Sequence, residues 1–310
     1  MLAVLTVANH KGGVGKSTTS MMVAEGAALF GGLRVLVLDL DPQGTLSRML
    51  LGNSELERAV ESGRSVLHLL QGLADTGRMP LAPVTVQNAS DLKELRHATS
   101  GARIDIVPSH PSSLKDMTEV EAQIRTLDAS ARLDSIIAHA LQQALTRVEA
   151  DYDLVVIDCP AGPAALSLAG LRLSTVIVAP TVLEKNSLSA LSDFIKIILD
   201  ADLGIYRSIA SRVHMLITMF VRSNSAQQLL LDHVERGRAE FNALPIAISH
   251  STAIQRAASH PGENANRLAR EKYNSGYTEF EALSGCIRNI LLAARSAAIA
   301  KKKSPVLHQH

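Results

Sequence analysis

Residues 2–18 read Leu2-Ala-Val-Leu-Thr-Val-Ala-Asn-His10-Lys-Gly-Gly-Val-Gly-Lys-Ser-Thr18, an apolar run that ends in a glycine-rich loop and passes into the helical pattern of Ser17–Phe30. A strand, loop and helix in that order set the loop amides at a helix N-terminus, where anions are favoured. Gly12, Gly13 and Gly15 let the backbone from Lys11 through Val14 to Thr18 turn its N–H groups around phosphate oxygens. Lys16 supplies a point charge for β and γ phosphates, and the Ser17 hydroxyl is placed to ligate Mg²⁺. The strict pattern G-x-x-x-x-G-K-[ST] is not met: His10 stands where its first glycine belongs, and Lys11 follows.

Outward from this loop, short β-branched runs recur at Leu33–Asp39, Ile104–Val107, Leu154–Asp158, Thr175–Ala179, Val213–Phe220 and Ile246–Ile248. Helical spacing separates them, at Leu133–Val148, Ser187–Leu199 and Ala226–Phe241 among others. Apolar strands without strict alternation need a sheet covered on both faces, and their alternation with helices implies βαβ units. The predicted fold is α/β, a doubly wound, mostly parallel sheet with helices on both faces. Ligands of such sheets sit beyond the carboxyl ends of the strands, which directs attention to two carboxylate-bearing ends. Val35-Leu-Val-Leu-Asp-Leu-Asp-Pro-Gln-Gly44 carries Asp39 and Asp41 two residues apart, on one side of a strand end. Tyr152-Asp-Leu-Val-Val-Ile-Asp-Cys-Pro160 ends on Asp158, placed to hold Mg²⁺ through water, with Asp153 read as a turn residue and Cys159 as a small buried hydrophobe.

The 310 residues are 46% hydrophobic, 20% charged and 3% aromatic, without Trp, which excludes a disordered tail, a collagen-like chain and a disulfide-stapled module. Two cysteines, Cys159 and Cys286, are too few for a tetrahedral thiolate site from one chain, and a reducing cytoplasm is expected. Residues 1–200 carry 17 Lys+Arg against 22 Asp+Glu, net −5, and residues 201–310 carry 14 against 8, net +6. The basic C-terminal third permits contact with a polyanion. No basic leader precedes the first strand and no 18-residue apolar run occurs, so neither a targeting segment nor a membrane span is expected. One domain is expected over 1–300, with 44–150 including an elaboration between core strands and 301–310 forming a basic tail.

With its extra lysine before paired glycines, KGGVGKST resembles the deviant Walker A loop of the ParA/MinD family of ATPases. The resemblance implies ATP and Mg²⁺ as ligands, slow hydrolysis, and a nucleotide-sandwich homodimer in which Lys11 reaches the partner's phosphates. Asp-x-Asp-Pro-Gln resembles the ParA branch, so Asp41 would position the attacking water, Asp39 would support the Mg²⁺ shell, and Pro42 and Gln43 would border the nucleotide. Three further stretches look like family elements: Ser65–Gly72 like the helix following this carboxylate loop, Thr175–Pro180 like the strand after Asp158, and Leu216–Phe220 like a strand ending near the base. The short-N-terminus class of partition ATPases is the better match. For such proteins the resemblance implies nonspecific binding of double-stranded DNA, a ParB-like or other cargo adaptor that stimulates hydrolysis, and a cytoplasmic, nucleoid-associated location.

For DNA, Arg222 follows the Thr-Met-Phe strand end near where related proteins place a contacting arginine. Ile248-Ser-His-Ser-Thr-Ala-Ile254 stands where many relatives read IPRNVRL; both arginines are missing and Ala253 occupies one of their places. Arg256, Arg267, Arg270 and Lys272 are the candidate substitutes. Phe280, Leu283, Ile287, Ile290, Leu291, Ala294 and Ala298 share a helical stripe before Lys301-Lys-Lys303. A MinD-like membrane helix is the alternative reading of that stripe; packing on the sheet is preferred, because its alanines suit close approach. An iron–sulfur ATPase would need cysteines on loops facing a dimer axis, and a bacterial tyrosine kinase a terminal tyrosine cluster, neither of which fits this sequence.

Overall fold

The structure, a computed structural model, describes residues 2–184, 196, 212–238, 242–259 and 266–303. Seven strands form one sheet: β1 Ala3–Val7, β2 Arg34–Asp39, β3 Arg103–Val107, β4 Leu154–Asp158, β5 Val176–Val182, β6 Val213–Phe220 and β7 Ala243–Ser249. They lie in the order β3-β2-β4-β1-β5-β6-β7, every pair parallel. The helices labelled here are α1 Lys16–Gly31, α2 Thr45–Glu61, α3 Val66–Thr76, α4 Leu114–Leu127, α5 Leu133–Arg147, α6 Ala165–Leu173, α7 Ser225–Arg236, α8 Thr252–Ala257, α9 Ala269–Tyr273 and α10 Tyr277–Lys303.

Apolar side chains on both faces of each central strand explain the layers. Leu36, Leu38 and Ile157 meet α3 to α6 through Leu69, Leu70, Ile124, Leu141 and Leu166. On the opposite face Leu5, Val37 and Val156 meet α1, α2 and α10 through Met21, Met22, Leu46, Phe280 and Leu283. Every residue of β4 is buried, as a strand covered on both sides requires. The layered parallel sheet is the predicted fold.

The differences are local. β7 runs from Ala243 rather than Ile246; Pro245 sits within it without penalty because β7 is the edge of the sheet and needs no amide on its outer side. The helix directly after the carboxylate loop is α2, and residues 65–72 belong to the next one, α3; the expectation for Ser65–Gly72 is corrected accordingly. Residues 44–150 supply α2 to α5 and β3, and their side chains enter both core clusters. α7 stops at Arg236, before Gly237. The helix expected over 187–199 lies, Lys196 apart, outside the described residues, as do 304–310 of the tail.

α10 packs along α1. Phe280 is stacked on Tyr273 with ring centroids 3.9 Å apart, and Leu283 and Ile287 are buried with it, while Ile290, Leu291 and Ala294 are partly covered. Beneath these rings, the Lys272 ammonium donates to Glu25 of α1 at 2.6 Å and to Asp91 at 2.7 Å, with all three side chains inaccessible to solvent. The Tyr273 hydroxyl donates to the other Glu25 oxygen at 2.6 Å, and Arg267 pairs with Asp91. A buried lysine between two buried carboxylates is tolerable only as such a closed set.

Candidate active site

β1, β2 and β4 end side by side, and register sets Val7 and Asp39 on either side of Asp158. The glycine-rich loop leaves β1 at this edge. Asn9 shapes its start: its Nδ2 donates to the Pro180 carbonyl at 2.6 Å and its Oδ1 accepts the Lys11 amide at 3.1 Å. Gly13 and Gly15 adopt φ of 72° and 83°, left-handed values that admit glycine most readily. A Cβ at Gly12 or Gly13 would meet nothing within 4 Å, and both glycines are exposed. α1 then begins on Gly15 with no side-chain cap, leaving first-turn amides available to an anion.

The two lysines of the loop differ. Lys16 is 8% exposed, and its ammonium reaches the Lys11 carbonyl at 3.4 Å. Lys11 lies on the rim, where its ammonium pairs with Glu184 at the end of β5. Ser17 and Thr18 are half-buried in the first turn of α1.

Asp158 is wholly buried. Its Oδ1 accepts the Ser20 hydroxyl at 2.8 Å, and its Oδ2 has no hydrogen-bond partner. Burial pushes this carboxyl up to about 6; the Ser17 and Ser20 hydroxyls oppose the rise, the charge of Asp41 adds to it and Lys16 opposes it. Asp39, also wholly buried, accepts the Asp41 amide at 3.3 Å on Oδ1 and the amide and hydroxyl of Ser47 at 2.9 and 2.6 Å on Oδ2. Burial and the charge of Asp158 hold the Asp39 carboxyl well above its ordinary range. Asp39 is therefore the anchor of the turn into α2. Asp41 is half-buried at that turn; its Oδ1 accepts the Gln43 amide at 2.9 Å, while Pro42 is half-buried and Gln43 exposed. Gly44, at φ 61°, closes the turn so tightly that a Cβ would come 2.3 Å from the Ser109 carbonyl oxygen.

An orphaned carboxylate oxygen beside two hydroxyls and two further carboxylates is the chemistry of a Mg²⁺ site, and Asp158 and Ser17 are the residues that fit it. Cys159 lies buried behind Asp158, its thiol pushed up by burial, which leaves it inert.

The structure thus brings together Lys11 to Thr18, Asp39, Asp41 to Gln43 and Asp158. The polyanion candidates are dispersed. Arg222, Arg256 and Arg270 are exposed, the last with its guanidinium 4.6 Å from the Tyr277 ring centroid. Arg267 is drawn onto Asp91 and the Ser259 carbonyl. Lys272 must be corrected: its side chain is sealed between Glu25 and Asp91 and faces no solvent. Sequence reasoning missed Asn9, Ser20, Ser47, Thr218 and Glu184. Their common signal is a polar residue within or next to an otherwise apolar run.

A phosphate loop between the first strand and helix of a parallel sheet, facing carboxylates on two neighbouring strand ends, defines a P-loop nucleotide-binding protein. The sequence profile of the AAA domain family (AAA_31) matches residues 2–209. The chain belongs to this family and is of the ParA/MinD type within it.

It is similar to the chromosome-partitioning ATPase Soj of Thermus thermophilus, with 29% identity over 282 residues, 86% of this chain and 94% of that one. The chromosome partitioning protein ParA of Myxococcus xanthus is 27% identical over 234 residues, 73% of this chain and 69% of the relative. Against other relatives the span is shorter: it covers 62% of the length of an uncharacterised Pseudomonas putida protein and 63% of the Bacillus subtilis sporulation initiation inhibitor Soj. In fold, the chain resembles a plasmid partition protein of Borrelia burgdorferi bound to AMPPNP, with a TM-score of 0.65 at 19% identity, over 93% of this chain and 99% of that one.

Proposed function

We propose that the chain hydrolyses ATP slowly, dimerises when ATP-bound, binds double-stranded DNA nonspecifically and thereby segregates or positions a cargo, with an adaptor protein stimulating hydrolysis. The observation that carries this reading is the division within one loop: a buried Lys16 whose ammonium lies at the Lys11 carbonyl, and a rim-exposed Lys11 turned onto Glu184. A single active site has no use for a second lysine pointing away from its own phosphates; a dimer sharing nucleotides across its interface does.

In this reading the amides of Gly12 to Thr18 and the Lys16 ammonium hold the phosphates, and Lys11 leaves Glu184 to reach those of the partner protomer. Asp158 and Ser17 would hold Mg²⁺, which would supply charge neutralisation to the phosphates. Asp39 supports that shell through the turn it anchors, with Pro42 and Gln43 bordering the nucleotide. The Asp41 carboxylate, one oxygen of which carries no hydrogen bond from the described residues, accepts a hydrogen bond from the attacking water. That water's oxygen bonds to the γ phosphorus as the bond to the bridging oxygen breaks, giving ADP and phosphate.

The membrane reading has less support, because Phe280, Leu283 and Ile287 of α10 are spent on α1. No helix among the described residues is long and apolar enough to cross a membrane. The test is binding of a random-sequence duplex with ATP, ADP or no nucleotide at two salt concentrations. ATP-dependent binding that falls steeply with salt is expected; a chain that dimerises with ATP yet ignores DNA overturns the DNA part of the reading.

A further inference from the structure

Away from the nucleotide site, α2 breaks at Gly52, whose φ of 74° and ψ of 171° leave the helical region. At the break lies a cavity of about 690 Å³, walled by α2, the segment 86–90, Arg96 of the one-turn helix Lys93–Arg96, and Ala258–Ser259 beyond α8. Its volume falls within the range of small-ligand sites, about 300–1,000 Å³.

The lining is basic. Arg48 and Arg58 enter from α2 and Arg96 from the opposite segment, against one acidic side chain among the described residues, Glu55, which Arg58 holds at 3.0 Å. Arg48 is half-buried and Arg96 exposed, and neither guanidinium makes a hydrogen bond or ion pair within the described residues. Asn53 and Asn88 add amide donors beside them. Unpaired guanidinium groups on two separate walls suit a ligand with oxyanions at more than one point, and their planar forks match phosphate oxygens in pairs. None of these residues belongs to the glycine-rich loop or its carboxylates. We infer that this cavity is a second oxyanion site, distinct from the phosphate loop, which takes a compact ligand bearing two or more phosphate groups. The same oxygens occur on a free polyphosphorylated ligand and on a nucleic-acid backbone.

The test is calorimetric titration of inorganic tripolyphosphate into the chain loaded with one equivalent of a non-hydrolysable ATP analogue and Mg²⁺, so that the phosphate loop is filled without excess analogue to occupy the cavity. One further site is expected, with affinity about tenfold lower in Arg48→Gln and in Arg96→Glu and unchanged in Arg147→Gln. Arg96 is exposed on a one-turn helix, so its replacement leaves the fold intact even if Arg48→Gln does not. Absence of the second site in the loaded chain, or undiminished binding in Arg96→Glu, overturns the inference. A short DNA duplex added as competitor separates the sources. Displacement of tripolyphosphate, with weaker duplex binding in the same variants, assigns the site to backbone phosphates; no displacement assigns it to a free ligand. The two readings fail separately: DNA binding by the wild-type chain that is indifferent to ATP counts against the proposed function and leaves this site standing.

Discussion

The hydroxyl of Thr218, at the end of β6, donates to the Val14 carbonyl inside the phosphate loop at 2.9 Å, with both residues buried. β6 lies two strands from β1, so this bond ties the loop to a distant part of the sheet. The next residue, Met219, is held at φ 53°, a left-handed conformation that costs a side-chain-bearing residue about 1–2 kcal/mol. Its methyl end lies against Gly15. The bond fixes the Val14 peptide within the loop. Thr218→Val leaves that carbonyl buried without its donor and is expected to cost about 1–3 kcal/mol in urea unfolding. ATP affinity is expected to weaken several-fold, with recovery in Thr218→Ser. A valine variant with unaltered stability and nucleotide affinity would show that the bond does no positioning.

Lys272 gives the opposite kind of prediction, for a residue that sequence places among DNA contacts and structure places in the core. Lys272→Met leaves Glu25 and Asp91 buried without the ammonium they share and is expected to cost on the order of 3–5 kcal/mol. Chemical denaturation measures this. Among molecules still folded, DNA affinity should match the wild type; a variant of normal stability that has lost DNA binding would return Lys272 to the surface.

Much of the fold was legible because its strands are unbroken apolar runs ending in informative residues. Leu154–Asp158 reads the same in sequence and structure, since full burial leaves no polar position to blur its ends. The sequence pattern starts β7 at Ile246, past Pro245, because a proline reads as a strand boundary until the strand is known to be an edge. α2 was illegible for a comparable reason: Gly52 breaks its period in mid-helix, so neither half is long enough to show a face. In the site, spacing along the chain found the loop and Asp39, Asp41 and Asp158. Thr218 escaped because nothing along the chain points from it to its partner Val14, 204 residues away, and Ser47 because its hydroxyl meets Asp39 only once the turn into α2 has folded. The burial of Lys272 escaped too, since its neutralising partners are 247 and 181 residues away.

The two lysines of the loop should separate nucleotide binding from assembly. Lys16→Ala removes the buried ammonium and is expected to abolish ATP binding. Lys11→Ala, on the rim, should retain ATP but lose the ATP-induced dimer, as read by size-exclusion chromatography with light scattering. The ion pair of Lys11 with Glu184 is solvent-exposed and contributes little stability, so the Lys11 variant should unfold as the wild type does. Dimerisation that persists in Lys11→Ala would remove the shared-site reading.

Asp41 should divide binding from chemistry. Its carboxylate makes one local hydrogen bond, to the Gln43 amide, and anchors nothing across the fold. Asp41→Ala is therefore expected to keep its fold, its ATP and its dimer while losing most turnover, about 10²-fold or more, the usual loss when a group aligning the nucleophile is removed. Single-turnover phosphate release measures it, and unchanged release would move the role elsewhere.

Asp158 yields a pH dependence whose sign is unusual for a carboxylate. In the unfolded chain it ionises near 3.8, and in the folded chain without metal at about 6, because burial disfavours the charge. Between those values the folded state holds the extra proton, so its stabilising effect is complete below pH 3.8 and is lost as pH rises through 6. The loss is on the order of 2–3 kcal/mol. Asp39, shifted in the same direction, steepens the slope. Asp91, Asp134 and Asp153 are shifted downward by their cationic partners and act below pH 3.8 with the opposite sign, whereas His68 and His214, lowered by burial, oppose the slope below pH 6.5 and Glu121, raised by burial, adds to it, so the comparison with an Asp158 variant isolates this carboxyl. Urea unfolding of the chain without nucleotide should therefore show greater stability at pH 4.5 than at pH 7.5. Asp158→Asn, which cannot ionise, should flatten most of that difference and exceed the wild type at pH 7.5 while losing Mg²⁺-dependent nucleotide binding. Equal slopes for variant and wild type would place the titration on another group and remove the main electrostatic ground for a cation beside Asp158.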